Sequence, residues 1–246
     1  MKEVIETGQI ENTTEFKVRD VDTIIISDVH LGSPVSRSKQ LIEMLETFKF
    51  NRLILLGDIF DDLNFQRLSG THWKFLSYLR KISNPEKNIE IVWVEGNHDE
   101  GLSEIISVII GIPAYKEFEW EHEGKNILAI HGHQWDRFLN ENVLISKIAA
   151  SIYLGIQRFG KTKQRISRFV KRRSKRWLRL SGKVASGAID YGKNKGSDVV
   201  ICGHTHHIYE KTDKGVQYFN SGCWTDIPSS CVVIEHNGEI KIEQFS

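Results

Sequence analysis

Seven residues of this chain carry side chains suited to divalent transition-metal cations: Asp28, His30, Asp58, Asn97, His131, His204 and His206. They fall in five short clusters, Asp28-Val29-His30, Gly57-Asp58-Ile59-Phe60-Asp61, Gly96-Asn97-His98-Asp99, His131-Gly132-His133 and Gly203-His204-Thr205-His206. Neutral imidazole and carboxylate oxygen suit Mn, Fe, Zn or Co in their divalent states. A single histidine beside an apolar run is ordinarily structural. Turn-forming Asp, Asn and Gly would explain part of each cluster, but not the histidines. Polar groups that converge in a fold are costly unless they are satisfied there. No GxSxG and no GxxxxGK[ST] occurs, so neither a serine nucleophile elbow nor a P-loop competes for the chemistry.

Each cluster follows a short apolar run. Thr23–Ser27, Leu53–Leu56, Ile89–Val94, Asn126–Ile130 and Asp198–Cys202 read as buried strands bounded by turn residues. Between the first three lie helical patterns. Leu41, Ile42, Leu45 and Phe48 recur at helical spacing over Lys39–Lys49, behind a candidate Ser cap. Trp73, Leu76, Leu79 and Ile82 do the same over Thr71–Ile82, and Asn84-Pro85 marks the stop. Strands alternating with helices imply βαβ units, and in such sheets ligands sit at the carboxyl ends of the strands. Val216–Phe219, Cys231–Ile234 and Glu239–Gln244 read as a closing antiparallel meander.

The length of 246 residues suffices for one large domain with a sizeable core. The cysteines Cys202, Cys223 and Cys231 form no CxxC pair and no disulfide framework, which favours a reducing compartment. Met1–Asp20 is polar and acidic, unlike a signal peptide, and no run reaches the length of a membrane-spanning helix. The expectation is a cytoplasmic protein that can lie peripherally against the inner face of the cell membrane.

The five clusters, in this order, resemble the five motifs of the calcineurin-like metallophosphoesterases, over Ile24 to His206. The resemblance implies an α/β fold, a sandwich of two mixed β-sheets flanked by helices. It also implies two divalent metal ions, with Mn expected. One would be held by Asp28, His30, Asp58 and His206, and the other by Asp58, Asn97, His131 and His204, with Asp58 bridging. His98 would face the substrate phosphate and act on the developing charge or the leaving oxygen, and Asp99 would orient and charge His98 or serve simply as a turn residue. The implied reaction is hydrolysis of a phosphoester or phosphoanhydride bond by a hydroxide bridging the two ions. From the residues themselves, Asp61 is equally a support for a ligand histidine or a surface turn. His133 is a substrate or metal contact or an incidental histidine, and Asn220-Ser221-Gly222 is a plain turn. His72, His122, His207 and His236 read as ordinary.

Charge is unevenly spread. Between Asn142 and Ile189 there are thirteen Lys or Arg and no Asp or Glu, which leaves 20 basic against 32 acidic residues elsewhere. Asn142–Ile156 reads as a helix with a wide apolar face, and Lys163–Leu180 as a basic amphipathic helix. The whole chain reads as one domain, with a basic helical cap inserted at about 137–195. A solvated helix, an anionic membrane surface, nucleic acid and a lid over an anionic substrate are the competing readings of that charge.

Within the superfamily the chain is similar to the bacterial UDP-2,3-diacylglucosamine diphosphatases of lipid A synthesis. The shared features are Ser27–Ser33, the Gly-Asn-His-Asp-Glu block, the run His131–Asp136, Cys202–His207 and the long insertion. That similarity implies a phosphate-containing, lipid-linked substrate cleaved to UMP and a lipid sugar phosphate. The chain departs from the best-studied branch at His98, where that branch has Arg, and at His133, where it has an acidic residue. A phosphodiesterase or phosphatase acting on another nucleotide or on nucleic acid is the alternative, as is a non-catalytic scaffold that binds through the basic cap.

Overall fold

The computed structural model describes residues 18–101, 105, 108–109, 111–136 and 175–246, the first three of that last stretch by backbone alone. Eleven strands are described: β1 Arg19–Ile26, β2 Phe48–Leu56, β3 Glu90–Val94, β4 Ala114–Tyr115, β5 Phe118–His122, β6 Lys125–Ala129, β7 Val199–Cys202, β8 Tyr209–Asp213, β9 Val216–Asn220, β10 Ser229–Ile234 and β11 Ile240–Phe245. Three α-helices accompany them: α1 Ser38–Leu45, α2 Gly70–Ile82 and α3 Lys175–Lys195.

The strands form two mixed sheets, in the orders β11-β10-β1-β2-β3-β4 and β5-β6-β7-β9-β8. β1, β2 and β3 are parallel, as the alternation with α1 and α2 requires, and β6 runs parallel to β7. The period of two along each strand then sorts side chains into layers. Ile24 and Ile26 of β1 pack with Leu41, Leu45, Phe75 and Leu79 under α1 and α2, while Ile25 points into the layer between the sheets. Val199 and Ile201 of β7 share that middle layer with Ile54, Leu56, Val92 and Val94. Val200 and Cys202 turn outward against Ala185, Ala188 and Ile189 of α3. Each such fully buried aliphatic side chain contributes about 1.5–3 kcal/mol relative to exposure. The result is a sandwich with helices on both outer faces.

Several local expectations change. The closing meander does not form: β9 lies in the second sheet beside β7, and only β10 and β11 are antiparallel neighbours. Period two identifies a strand but not its partner. The segment after β9 carries the chain from one sheet to the other. α1 ends at Leu45, because Phe48 already pairs with Arg19 in the parallel ladder. In α2 the buried face is His72, Phe75, Leu79 and Ile82, and Trp73 is 52% exposed. The strands β5 and β8 were not foreseen. Both alternate between half-buried and exposed positions, so neither shows an apolar run.

Most of the expected cap, residues 137–174, lies outside the described residues. Its last part is α3, which packs on the outer face of the second sheet. Cys202, Cys223 and Cys231 are buried free thiols. Among the described residues no helix is long and apolar enough to cross a membrane.

Candidate metal centre

The turns after β1, β2, β3, β6 and β7 converge where the carboxyl ends of the two sheets meet. Backbone bonds lock them together. Asp28 N–H donates to Gly57 C=O at 3.1 Å, His30 N–H to Asp58 C=O at 3.0 Å, and Gly203 N–H to His131 C=O at 3.1 Å. Asp28 ties the sheets directly, since its Oδ2 accepts from His204 N–H at 2.9 Å.

Five of the seven expected ligand residues adopt left-handed backbone: Asp28 (φ 52°), His30 (49°), Asp58 (51°), His204 (65°) and His206 (52°). For residues with a Cβ this conformation costs on the order of 1–3 kcal/mol each and persists only where surroundings enforce it. It turns each side chain out of its strand line toward the cleft. The neighbouring glycines give the room. A Cβ on Gly57 would lie 2.3 Å from His131 Nδ1, and one on Gly96 would lie 2.2 Å from Asp58 Oδ1.

Two groups of side chains gather here, Asp28, His30 and His206 in one and Asp58, His131 and His204 in the other, and a third, His30, Asp61 and His98, overlaps the first at His30. His206 Nε2 is 3.0 Å from Asp28 Oδ1 and 3.2 Å from His30 Nε2. Asp58 Oδ2 is 3.3 Å from His131 Nε2 and 4.0 Å from Nε2 of both His30 and His98. Asp58 thus faces both groups. Asn97 stands beside them with its Oδ1 buried and unpartnered.

A divalent cation fits these donors. Asn97 Oδ1, Asp28 Oδ1 and His131 Nε2 are buried atoms with no well-formed hydrogen bond, a costly arrangement unless something binds there. The field also favours positive charge. Burial disfavours charge on His131, yet Asp58 and Asp28 outweigh it and hold its pKa up at about 10. Burial likewise opposes charge on Asp28, but His206 and His131 bring it down to about 2.

Supporting contacts fix the rings. His131 Nδ1 donates to Leu56 C=O at 3.0 Å, which leaves Nε2 as the ligand atom. Asp61 Oδ1 lies 3.3 Å from His30 Nδ1, and its Oδ2 is 2.7 Å from Arg67 Nη2. Of the two open readings of Asp61, the geometry therefore favours the support of a ligand histidine. Asp136 Oδ2 is 3.2 Å from His204 Nε2. His133 is half-buried, its ring 5.6 Å from that of His131 and 6.3 Å from that of His204. Burial, then the charges of His131 and His204, lower its pKa to about 4, so it is neutral.

Of the two readings of Asp99, the geometry favours the turn residue. Asp99 does not orient His98. It is fully buried and accepts from three backbone amides, Gly96 at 2.7 Å, Ile59 at 2.8 Å and Asp58 at 3.3 Å. Both oxygens are thereby committed to bracing the second and third turns. His98 is oriented by the Asp61 carbonyl, 2.6 Å from its Nδ1.

Asn220-Ser221-Gly222 is more than a turn. Ser221 Oγ is 2.7 Å from Ser27 Oγ, which in turn donates to Asp28 Oδ2 at 2.5 Å. Asn220 Nδ2 donates to Gly203 C=O at 2.5 Å. Further on, Trp224 N–H donates to Asp28 C=O at 3.1 Å, and Thr225 Oγ1 lies 3.4 Å from His206 Nδ1. The sequence signal for this brace is faint: small polar residues directly after an apolar strand.

The family model for calcineurin-like phosphoesterases matches residues 22–207. Among solved structures, an archaeal phosphodiesterase superposes with a TM-score of 0.50 at 15% identity, over 91% of this chain and 99% of its own. Yfce, a phosphoesterase from E. coli, gives 0.48 at 17% identity over 91% and 99%. A Vps29 variant from Entamoeba histolytica gives 0.48 at 14% over the same shares. At such identities the likeness to the archaeal protein is one of fold. No curated protein sequence matches the chain.

Proposed function

Because this chain belongs to the calcineurin-like phosphoesterase family and is a metal-dependent hydrolase, we propose that it cleaves a phosphoanhydride bond, with UDP-2,3-diacylglucosamine as the substrate class. The observation that carries the reading is the position of Asp58, whose one carboxylate faces both histidine groups. Asp28, His30, Asp58 and His206 would hold one divalent cation, and Asp58, Asn97, His131 and His204 the other. When bound, such a pair supplies charge neutralisation at the phosphoryl oxygens and activation of the attacking water.

The remaining steps belong to the chain's own side chains. His98 is 40% exposed and borders the open side of the cluster. A carbonyl can only accept, so the bond to Asp61 C=O places a proton on His98 Nδ1. Nε2 is then the atom that carries the second proton and delivers it to the departing oxygen as the P–O bond breaks. His133, neutral and beside the second group, is placed to contact an oxygen of the substrate. The bracing of Asp28 by Ser27 and of His30 by Asp61 holds the donors in place before substrate arrives.

The finer assignment rests on the similarity of Ser27–Ser33, the Gly-Asn-His-Asp-Glu block, His131–Asp136 and Cys202–His207 to the diphosphatase group. The basic stretch 142–189 would meet the lipid-linked substrate, or an anionic membrane surface that presents it. The test is UMP release from UDP-2,3-diacylglucosamine by metal-stripped protein with Mn restored, beside a generic bis-aryl phosphodiester. Preferential cleavage of the glycolipid is expected. Cleavage of the generic ester alone would overturn the substrate assignment and direct the search to other nucleotides and phosphodiesters.

A further inference from the structure

The loop from His131 to Asp136 approaches His204 from two sides. The His131 and His204 rings are 5.3 Å apart, and Asp136 Oδ2 lies 3.2 Å from His204 Nε2. The Asp136 and His204 side chains are 5% and 6% exposed, so little solvent screens their contact. A carboxylate accepts, which makes His204 Nε2 the proton-bearing nitrogen and leaves the Nδ1 lone pair for a cation.

Asp136 is itself held through its neighbour. One turn of 3₁₀-helix, His133–Trp135, separates it from Gly132. The Trp135 indole is seated on Gly187 of α3 so closely that a Cβ there would lie 2.3 Å from Trp135 Cδ1. Tyr191, one turn further along α3, has its ring 5.9 Å from that of Trp135. The helix thus holds Trp135, the residue directly before Asp136, and Asp136 N–H donates to His133 C=O at 3.0 Å.

The geometry points to Asp136 as a positioning residue for the cation shared by Asp58, Asn97, His131 and His204, with the Trp135–Gly187 contact as its mechanical support. It rests on the proposed two-cation reading, and it makes the two sites separable. On this reading Asp136 would act on the second cation through His204, and not on the one that Asp28, His30 and His206 would hold. Losing a carboxylate that orients a ligand histidine costs about 10- to 100-fold in metal affinity.

The experiment is a stepwise Mn titration of metal-stripped full-length protein, followed calorimetrically and by bound-metal analysis, for wild type, Asp136→Asn and Gly187→Ala. Asp136→Asn keeps the size of the residue. It is expected to weaken one binding step about 10- to 100-fold and leave the other unchanged. Gly187→Ala should weaken the same step by a smaller factor. Two unaltered steps in Asp136→Asn would overturn the role of Asp136 while the two-cation reading stands. Equal weakening of both steps would also overturn it, because the effect would then be general. Unaltered steps in Gly187→Ala would overturn the support through α3. A wild-type chain that binds a single cation would overturn the two-cation reading and this inference with it.

Discussion

Oδ2 of Asp58 lies 3.3 Å from Nε2 of His131, the first residue at the end of β2 in one sheet and the second at the end of β6 in the other. The contact places the middle of the cluster on the seam between the sheets. Any change that moves one sheet edge against the other therefore acts on the metal-type residues directly.

Asp58→Ala removes the carboxylate that faces both groups. Bound metal should fall below two equivalents and turnover should drop to background, measured by elemental analysis and UMP release on the same sample. Full occupancy together with full activity would show that Asp58 is not the bridge.

His98→Ala leaves every expected ligand in place. Turnover should fall about 10²–10⁴-fold, the usual contribution of a positioned proton donor, with both metals retained. Loss of metal in this variant would move His98 into the ligand set.

Asp99→Ala should act on stability. It leaves the amides of Gly96, Asp58 and Ile59 without their acceptor. Each buried unsatisfied donor costs about 1–3 kcal/mol, so the denaturant midpoint should fall clearly, with metal binding weakened as a consequence. An unchanged midpoint would contradict the bracing role.

His72 gives a pH dependence away from the cluster. Its Nδ1 accepts from Gly32 N–H and Ser69 N–H, both at 3.1 Å, and burial lowers its pKa below the ordinary 6.5. The unfolded chain thus takes up this proton first as pH falls. Stability from His72 is complete above about pH 6.5 and is lost as pH falls from there toward the folded value. The stability gap between wild type and His72→Asn should narrow across that window in denaturant melts. A gap that stays constant from about pH 7.5 to about pH 5.5 would refute it.

Gly57→Ala places a methyl 2.3 Å from His131 Nδ1, at a backbone φ of +76°. The ring must shift and lose its bond to Leu56 C=O. Metal affinity should fall before global stability does, which metal titration and thermal melts on the same variant will separate.

Much of this was legible in the chain itself. Apolar runs ending in Asp, His and Asn located β1, β2, β3, β6 and β7, because a buried strand must be continuously apolar and its exit turn need not be. The same signal named the seven metal-type residues by type. The parallel order of the first three strands followed from the helices between them. Only the tertiary structure decided the partners. It put β9 beside β7, since strand periodicity carries no record of its neighbour. It turned Asp99 into a brace, because a carboxylate's role depends on which amides surround it. It set Asp136 against His204, 68 positions apart, because that bond exists only once β6, β7 and α3 are packed together. Residue type limits what a side chain can do, and packing between distant segments selects which of those things it does.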